Sequence, residues 1–343
     1  MTEPLVLSER TREVAFLIRP HHAGRRRSGG LSLNVFTPDE IDDIHVATLE
    51  VLERTGVFVE DTEPLDIFTD GGCLVDRETR TVRIPPHVVA DSLAACPPSI
   101  AYCGRTPDRD FIVEPGRVTF TNFDEGIKYI DPTTGEHRDA TISDVADIAR
   151  LVDAMSDIDG YESAVGATDV PTETYALHGL EAALLNTTKP VGCEAIDKWE
   201  ARKCIGLAAI VAGGEDKLRE RPFLGLGVCP VSPLKLPRDA TEVIIECSRA
   251  GLPDTILSMA MSGGSAPVSL AGTLVQHNAE VLAGIVLAEL TERGSPVIYG
   301  SSTTAMDLRY ASASVGSPEL ALIGAGVAQL ARQYRLPSYI AGA

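Results

Sequence analysis

The chain has 343 residues and carries 30 Lys and Arg against 49 Asp and Glu, a formal net charge of −19. This excess of acid argues against a nucleic acid partner, because phosphate backbones are bound through Lys and Arg. The seven cysteines are odd in number and scattered, which predicts reduced thiols in a cytoplasmic protein rather than disulfides or a Cys/His metal site.

We predict that residues 1–32 form a flexible N-terminal arm. Its basic run, Arg25 to Arg27, follows the apolar residues, whereas a secretory signal places its basic residues first. The longest apolar helix candidate, Leu270 to Thr291, is interrupted by polar and charged side chains. We therefore expect no membrane-spanning segment.

Residues 33–140 predict an N-terminal α+β extension. Thr37 caps a helix, Pro38 takes its first position, Glu40 completes a capping box and Gly56 ends it. Short strands near residues 57–59 and 81–84 and a helix near 87–95 follow. Within residues 117–139, short strand-like runs alternate with turn signals, and this pattern predicts a β-hairpin.

Residues 141–343 show a regular alternation of helices and short apolar strands. A helix capped by Thr141 or Ser143 begins the pattern. Six strand candidates follow, spaced by about 30 to 40 residues, the length of one βα unit. They lie near residues 161–167, 190–194, 223–228, 255–258, 296–300 and 338–341.

Two α/β architectures fit this pattern: an open doubly wound sheet, or six of the eight strands of a (β/α)8 TIM-type barrel. The strands are apolar on both faces, which is typical of a parallel sheet covered by helices. No strand is followed by a GxGxxG or Walker A loop, and this weakens the doubly wound alternative. We therefore predict an incomplete barrel with about six βα units, ending at strand 6.

The candidate site residues follow the strands, because a β/α barrel gathers its reacting groups at the carboxyl ends of its strands. The catalytic candidates are Glu194, Ser302 and Thr303. The substrate-binding candidates are Ser258, Ser262, Gly263, Ser301 and Ala343.

Each of these candidates has a structural alternative. Glu194 either holds a proton or pairs with a cationic substrate in a narrow mouth, or it caps the next helix. The hydroxyls of residues 301–304 either bind substrate or cap the following segment. The turn at Ser262 and Gly263 is expected to open the long helix and form an anion nest. His277, in the middle of that helix, is interpreted as structural.

Several strand-end segments resemble the trimethylamine methyltransferase family. These are Ser258-Met-Ala-Met-Ser-Gly-Gly-Ser-Ala-Pro-Val, Ala271-Gly-Thr-Leu-Val-Gln-His-Asn, Tyr299-Gly-Ser-Ser-Thr-Thr and Val315-Gly-Ser-Pro-Glu-Leu. Cys229-Pro-Val-Ser-Pro-Leu and Phe36-Thr-Pro-Asp-Glu are similar too, and the resemblance runs from about residue 31 to the last residue. It implies a β/α barrel that transfers a methyl group from a methylated amine to the cobalt of a separate corrinoid protein.

The resemblance also implies a specific chemistry. In the pyrrolysine-containing branch, a segment similar to Leu336–Ala343 comes directly before the pyrrolysine. We therefore expect pyrrolysine directly after Ala343, and a truncated, inactive chain that itself binds no cofactor or metal. Addition of the amine nitrogen to the imine carbon of pyrrolysine would make a quaternary ammonium. A neutral amine would then be the leaving group when the methyl group is transferred. Glu194 would protonate the imine nitrogen, and the hydroxyls of residues 301–304 would position the adduct.

Two alternatives to this function remain. One is a pyrrolysine-independent methyltransferase that demethylates a quaternary amine such as glycine betaine, with an ordinary residue after Ala343. The other is a non-catalytic fragment that binds the corrinoid protein. The full-length enzyme is expected to be a homo-oligomer.

Overall fold

A computed structural model describes residues 25–26, 33–124, 126 and 128–342. Most of the predicted N-terminal arm therefore lies outside the described residues, as does Ala343, one of the predicted substrate-binding residues. Within the arm, Arg25–Arg26 form strand β1, which pairs antiparallel with β7 at Arg117–Val118.

The remaining elements alternate along the chain. The helices are α1 (Pro38–Glu50), α2 (Thr62–Asp70), α3 (Pro86–Ala95), α4 (Ile142–Ala154), α5 (Tyr175–Asn186), α6 (Lys198–Ala212), α7 (Glu215–Glu220), α8 (Arg238–Ala250), α9 (Leu270–Thr291) and α10 (Pro318–Gln333). The strands up to residue 193 are β2 (Val57–Val59), β3 (Leu74–Asp76), β4 (Thr81–Arg83), β5 (Ile100–Tyr102), β6 (Phe111–Val113), β8 (Tyr129–Ile130), β9 (His137–Arg138) and β10 (Val191–Cys193). The later strands are β11 (Leu224–Val228), β12 (Lys235–Leu236), β13 (Asp254–Ser258), β14 (Met261–Ser262), β15 (Val297–Ser301), β16 (Thr304–Asp307), β17 (Ser312–Ala313) and β18 (Ser338–Ile340).

The N-terminal helix begins and ends as its sequence predicts. Thr37 and Glu40 form a reciprocal capping box, in which the Thr37 backbone N–H donates to Glu40 Oε2 at 2.8 Å. After α1 a π-helical turn, Val51–Thr55, carries the chain to Gly56. Gly56 adopts a φ of 78°, a conformation that favours glycine.

The N-terminal extension is joined to the rest of the chain by a small four-stranded sheet in the order β12-β2-β4-β3. β2, β3 and β4 pair antiparallel, whereas β12 pairs parallel with β2. Of the hairpin predicted over residues 117–139, only the second half forms, since β8 pairs with β9 around the turn at Asp131–Gly135. The prediction was wrong for Arg117–Val118, which pairs with β1 instead.

The main sheet has five parallel strands in the order β10-β11-β13-β15-β18. At least one helix connects each strand to the next, and the strand order follows the chain without reversal. A doubly wound sheet would reverse its strand order at a switch point. The prediction of consecutive parallel βα units is therefore confirmed for these five strands.

The first predicted strand, residues 161–167, is not a regular strand, and here the prediction was wrong. Tyr161 makes an isolated parallel bridge to Val191, beside β10. The Asn122 side chain then substitutes for a neighbouring strand: its Oδ1 accepts from Glu162 N and its Nδ2 donates to Glu162 O, both at 2.9 Å. Beyond Glu162 the stretch makes isolated parallel bridges, from Val165 to Gly126 and from Ala167 to Ala140.

The sheet is curved, and its two sides approach each other. Thr121 bridges to Gly160 next to the first stretch, while Tyr339 lies on the last strand, β18. The hydroxyls of Thr121 and Tyr339 are nevertheless 3.2 Å apart. At the amino end, Cys103 N donates to Pro222 O at 2.8 Å, so the chain after β5 covers that end of the sheet.

Helix α9 lies at the centre of the molecule, where it packs against α1, α2, α3 and α8 and against β13 and β15. Contrary to the expectation from its polar residues, α9 is long and apolar enough to cross a membrane by length and composition. However, 72% of its most apolar window is buried inside the protein, which is typical of a core helix.

Candidate functional site

The main sheet has two faces, because side chains alternate along a strand. The outer face packs on α9: Ser258 Oγ donates to Glu280 at 2.6 Å, and Tyr299 Oη donates to Asn278 at 2.8 Å. The concave inner face is lined by the other set of side chains. We call this second set the inner-face cluster, and it comprises Tyr102, Glu162, Gly192, Glu194, Gly225, Gly227 and Tyr339.

Glu194 directly follows β10 and is half-buried on the inner face. Its Oε1 lies 3.9 Å from the position of a Cβ built on Gly227. The helix-cap alternative for Glu194 does not hold, because the N-cap of α6 is Asp197, whose Oδ1 accepts from Glu200 N at 2.8 Å.

Glu162 is an inner-face acid that the sequence analysis missed. Burial, followed by the charge of Asp124, raises the pKa of Glu162 well above its ordinary value, so this carboxyl binds its proton more tightly than an exposed one. A Cβ built on Gly192 would overlap Glu162 Oε2, so glycine at 192 makes room for the carboxyl. A lone acid inside an apolar strand candidate is the available signal, but it precedes the strand end, where a β/α barrel is expected to carry its reacting groups.

Two phenols complete the inner-face cluster. Tyr102 reaches in from β5, and a Cβ built on Gly225 would overlap its hydroxyl. Burial raises the pKa of both Tyr102 and Tyr339. Both hydroxyls therefore stay protonated as hydrogen-bond donors. Within the part of the chain that the structure describes, no group of three His, Cys, Asp or Glu side chains is arranged to hold a metal ion.

The predicted hydroxyl residues lie at the same edge of the sheet as Glu194, but Ser258 and Thr303 are turned toward α9. Both are buried, as is Ser301, whose Oγ accepts from Thr303 N at 3.2 Å. Thr303 Oγ1 donates to Ser258 O at 3.2 Å. Ser302 is half-buried, and its backbone N–H donates to Ser258 O at 2.9 Å. The catalytic and substrate-binding roles of these four residues stay predictions.

His277 is fully buried on α9, and its Nδ1 lies 2.9 Å from Thr303 Oγ1. Since Thr303 donates to a carbonyl, His277 Nδ1 is the donor of this pair. Burial lowers the pKa of His277 to about 3, so the ring is neutral. The ring also packs edge-on against Tyr299, with centroids 5.5 Å apart. These contacts agree with the structural interpretation of His277.

The expectation that Ser262 and Gly263 open the long helix was wrong, while their substrate-binding role stays a prediction. Ser262 ends β14, which pairs with β16, and Gly263 lies in the turn that follows. Helix α9 begins several residues later, where Ser269 Oγ accepts from Gly272 N. Ser262 Oγ donates to Val268 O at 2.9 Å and thereby closes its own turn.

Comparison with known proteins gives a consistent result. The family model described as trimethylamine methyltransferase (MTTB) matches residues 20–343. A trimethylamine methyltransferase MttB from Desulfitobacterium hafniense (strain DSM 10664 / DCB-2) is 47% identical over 320 residues, which cover 93% of this chain and 64% of that protein. Its counterpart from Methanosarcina thermophila is 44% identical over 330 residues, covering 93% of this chain and 67% of that protein.

A more distant relative is the glycine betaine methyltransferase of Desulfitobacterium hafniense (strain Y51). It is 33% identical over 310 residues, covering 90% of this chain and 64% of that protein. The chain thus spans about two thirds of the length of the curated relatives it matches.

Among solved structures, the crystal structure of the Methanosarcina barkeri monomethylamine methyltransferase (MtmB) superimposes with a TM-score of 0.51 at 14% identity. The match covers 88% of this chain and 65% of that chain, and it bears on the fold alone. Because the family model matches nearly the whole chain and relatives at 44 to 47% identity carry the same name, the chain belongs to the trimethylamine methyltransferase family.

Proposed function

We propose that the chain is the larger part of an enzyme that transfers a methyl group from trimethylamine to the cobalt of a cognate corrinoid protein. The scaffold would be a (β/α)8 barrel, to which this chain contributes the five described parallel strands. The proposal includes a cytoplasmic location and a homo-oligomeric full-length enzyme. Two relatives named trimethylamine methyltransferase, at 47% and 44% identity, support it over the glycine betaine methyltransferase at 33%.

The inner-face cluster is the observation that carries the proposal. A methylated amine is a small cation at neutral pH, and a curved face on which Glu194 lies among glycines favours such a cation. The amine must lose its proton before its nitrogen lone pair can react. We assign that proton to the Glu194 carboxylate, which is only half-buried and would then pass it to the imine nitrogen, while the more tightly protonated Glu162 keeps its own proton.

Pyrrolysine, expected from the sequence resemblance directly after Ala343, would supply an electrophilic imine at the carboxyl end of β18. Residues of this chain would hold that position: Ala341 N donates to Ser301 O at 2.9 Å, and Ile340 lies opposite Ser301 in the sheet. Ser302 is half-buried, and we assign its hydroxyl to substrate positioning.

The activity is tested with the full-length protein and its reduced corrinoid partner, by following methylation of the cobalt through its absorbance. Trimethylamine is compared with monomethylamine, dimethylamine and glycine betaine. We expect methylation with trimethylamine and little with the other three. Turnover of glycine betaine alone would favour the quaternary-amine alternative, and the absence of turnover with every substrate would favour the non-catalytic one.

The role of Glu194 is tested by Glu194→Gln in the same assay. General acid–base catalysis contributes at least about 100-fold, so kcat should fall on that order while the fold is retained. Glu173→Gln is the matched control, because Glu173 is an exposed acid in the short helical turn Thr172–Thr174, which follows the irregular stretch 161–167. Unchanged turnover of Glu194→Gln would remove Glu194 from the mechanism.

The pyrrolysine expectation is tested on the gene. An in-frame UAG after the Ala343 codon, followed by a continuing open frame, is the expected result. A sense codon there would support the quaternary-amine alternative, and a UAA or UGA codon would contradict both forms of the enzyme.

A further inference from the structure

Glu280 lies on α9 with 1% of its surface exposed, and its carboxylate accepts four hydrogen bonds. Oε2 accepts from Ser258 Oγ at 2.6 Å and from Ser232 Oγ at 2.7 Å. Oε1 accepts from Leu234 N at 3.0 Å and from Gln276 Nε2 at 3.1 Å. Four donors occupy the full acceptor capacity of a carboxylate.

The four donors come from three different parts of the chain. Ser232 and Leu234 belong to the segment 229–234, which follows β11, while Ser258 ends β13. Gln276 precedes Glu280 by one helical turn. Since β11 and β13 are neighbours in the sheet, Glu280 ties the carboxyl ends of two adjacent strands to the helix behind them.

The segment 229–234 depends on this support. Leu234 adopts a φ of 54°, a left-handed conformation that is unfavourable for a side chain of this size. Its backbone N–H donates to Glu280 and its carbonyl accepts from Phe58 N at 2.9 Å, so both backbone groups are held. At its other end the segment continues from β11, where Glu194 Oε1 lies 3.9 Å from the position of a Cβ built on Gly227.

We propose that Glu280 is a positioning residue of the methyltransferase site: from the outer face of the sheet it fixes the segment 229–234 and the end of β13, and with them the wall of the site beside Glu194. This inference rests on the proposed function for its kinetic consequence and on the hydrogen bonds of Glu280 for its structural one. Glu280 lies on the outer face of the sheet, and it acts through the segment that it holds.

Glu280→Gln is the informative change, because it keeps the shape of the side chain and replaces one acceptor oxygen by a donor NH2 group. At least one of the present donors then loses its acceptor. Glu289→Gln is the matched control: Glu289 lies near the other end of the same helix, is also buried, and accepts from Gly294 N at 2.7 Å, away from the segment 229–234.

The structural arm measures hydrogen exchange of the full-length protein, which does not depend on activity. The amides of Val231 and Leu234 are protected by Lys235 O and by Glu280. In Glu280→Gln we expect exchange of the 229–234 peptide to rise by about tenfold or more, as for a locally opened segment. In Glu289→Gln the same peptide should exchange as in the wild type. Wild-type protection of 229–234 in Glu280→Gln would overturn the inference.

The kinetic arm separates positioning from general loss of structure. For Glu280→Gln we expect kcat for trimethylamine to fall about tenfold or more and KM to stay within about twofold. This is the pattern expected when the segment 229–234 beside Glu194 is displaced. Ser232→Ala leaves three of the four donors and should lose less. A fall in kcat no larger than that of Glu289→Gln would overturn the kinetic part. If the wild-type enzyme transfers no methyl group, the proposed function fails while the exchange arm still decides what Glu280 holds.

Discussion

Replacing Asp254 by Asn is expected to stabilise the protein increasingly as the pH rises from 5 to 8. Asp254 begins β13 at the amino edge of the sheet and is 1% exposed. Among the described residues, neither of its carboxyl oxygens has a hydrogen-bond partner. Burial without compensation raises the pKa of Asp254 from 3.8 to about 7.

The sign and size of the effect follow from this pKa. Between pH 3.8 and about 7 the folded protein binds a proton at Asp254 that the unfolded chain has lost. The stability contributed by that proton is complete below pH 3.8 and is lost as the pH rises toward 7. Over the whole window the loss amounts to roughly 4 kcal/mol, of which about 2 to 3 kcal/mol falls between pH 5 and pH 8. The Asp254→Asn variant has no titrating proton at this position and would escape this loss.

The assay is urea unfolding of the wild type and Asp254→Asn at pH 5, 6, 7 and 8, with each free energy of unfolding compared at the same pH. Other titrating groups are common to both proteins and cancel in the difference. Asp70→Asn, at an exposed position at the end of α2, is the control and should show no such trend. A wild-type-to-variant difference that stays constant across this range would refute the reasoning.

Two further changes test the packing around the site. Gly192→Ala should destabilise the protein by about 1 to 3 kcal/mol because the new Cβ overlaps Glu162. This loss of stability should shrink in a Glu162→Ala background. Gly206→Ala is the control and should not destabilise the protein, because a Cβ at this position of α6 meets nothing within 4 Å. An equal cost in both backgrounds would contradict this contact. His277→Asn should destabilise the protein at pH 7.5, but by less as the pH falls from 6.5 toward 4, because the folded pKa of about 3 costs the wild type stability in acid. A pH-independent difference in urea unfolding would show that His277 does not resist protonation.

The elements that could be predicted are those set by short-range chemistry. The capping box of Thr37 and Glu40 and the glycine at 251, with a φ of 70°, fix the ends of α1 and α8 from neighbouring residues alone. The order of the parallel strands followed from the regular alternation of apolar strands and amphipathic helices. The irregular stretch at 161–167 could not be foreseen, because its partners Asn122, Gly126 and Ala140 lie outside the βα repeat.

The candidate site could be predicted by position but not by orientation. Glu194 and Ser258 both lie at strand ends, and both are found at the predicted edge. The face that each side chain takes depends on strand register against the helices, where a difference of one residue reverses the direction. Ser258 consequently meets Glu280, whereas Glu194 lies on the inner face. Tyr102 reaches the cluster from β5, outside the βα repeat, and no local pattern indicates that.

The burial of α9 has a consequence for how the protein comes apart. One side of this helix packs on α1, α2 and α3, and Asn278 Nδ2 donates to Thr48 of α1 at 2.9 Å. The opposite side packs on β13 and β15. Removing the chain up to the end of α3 would therefore expose an apolar helix over much of its length, and a protease that cuts between α3 and α4 should not release two separately folded pieces. Helices α1 to α3 and the parallel sheet should melt in a single transition, because each packs against one side of α9.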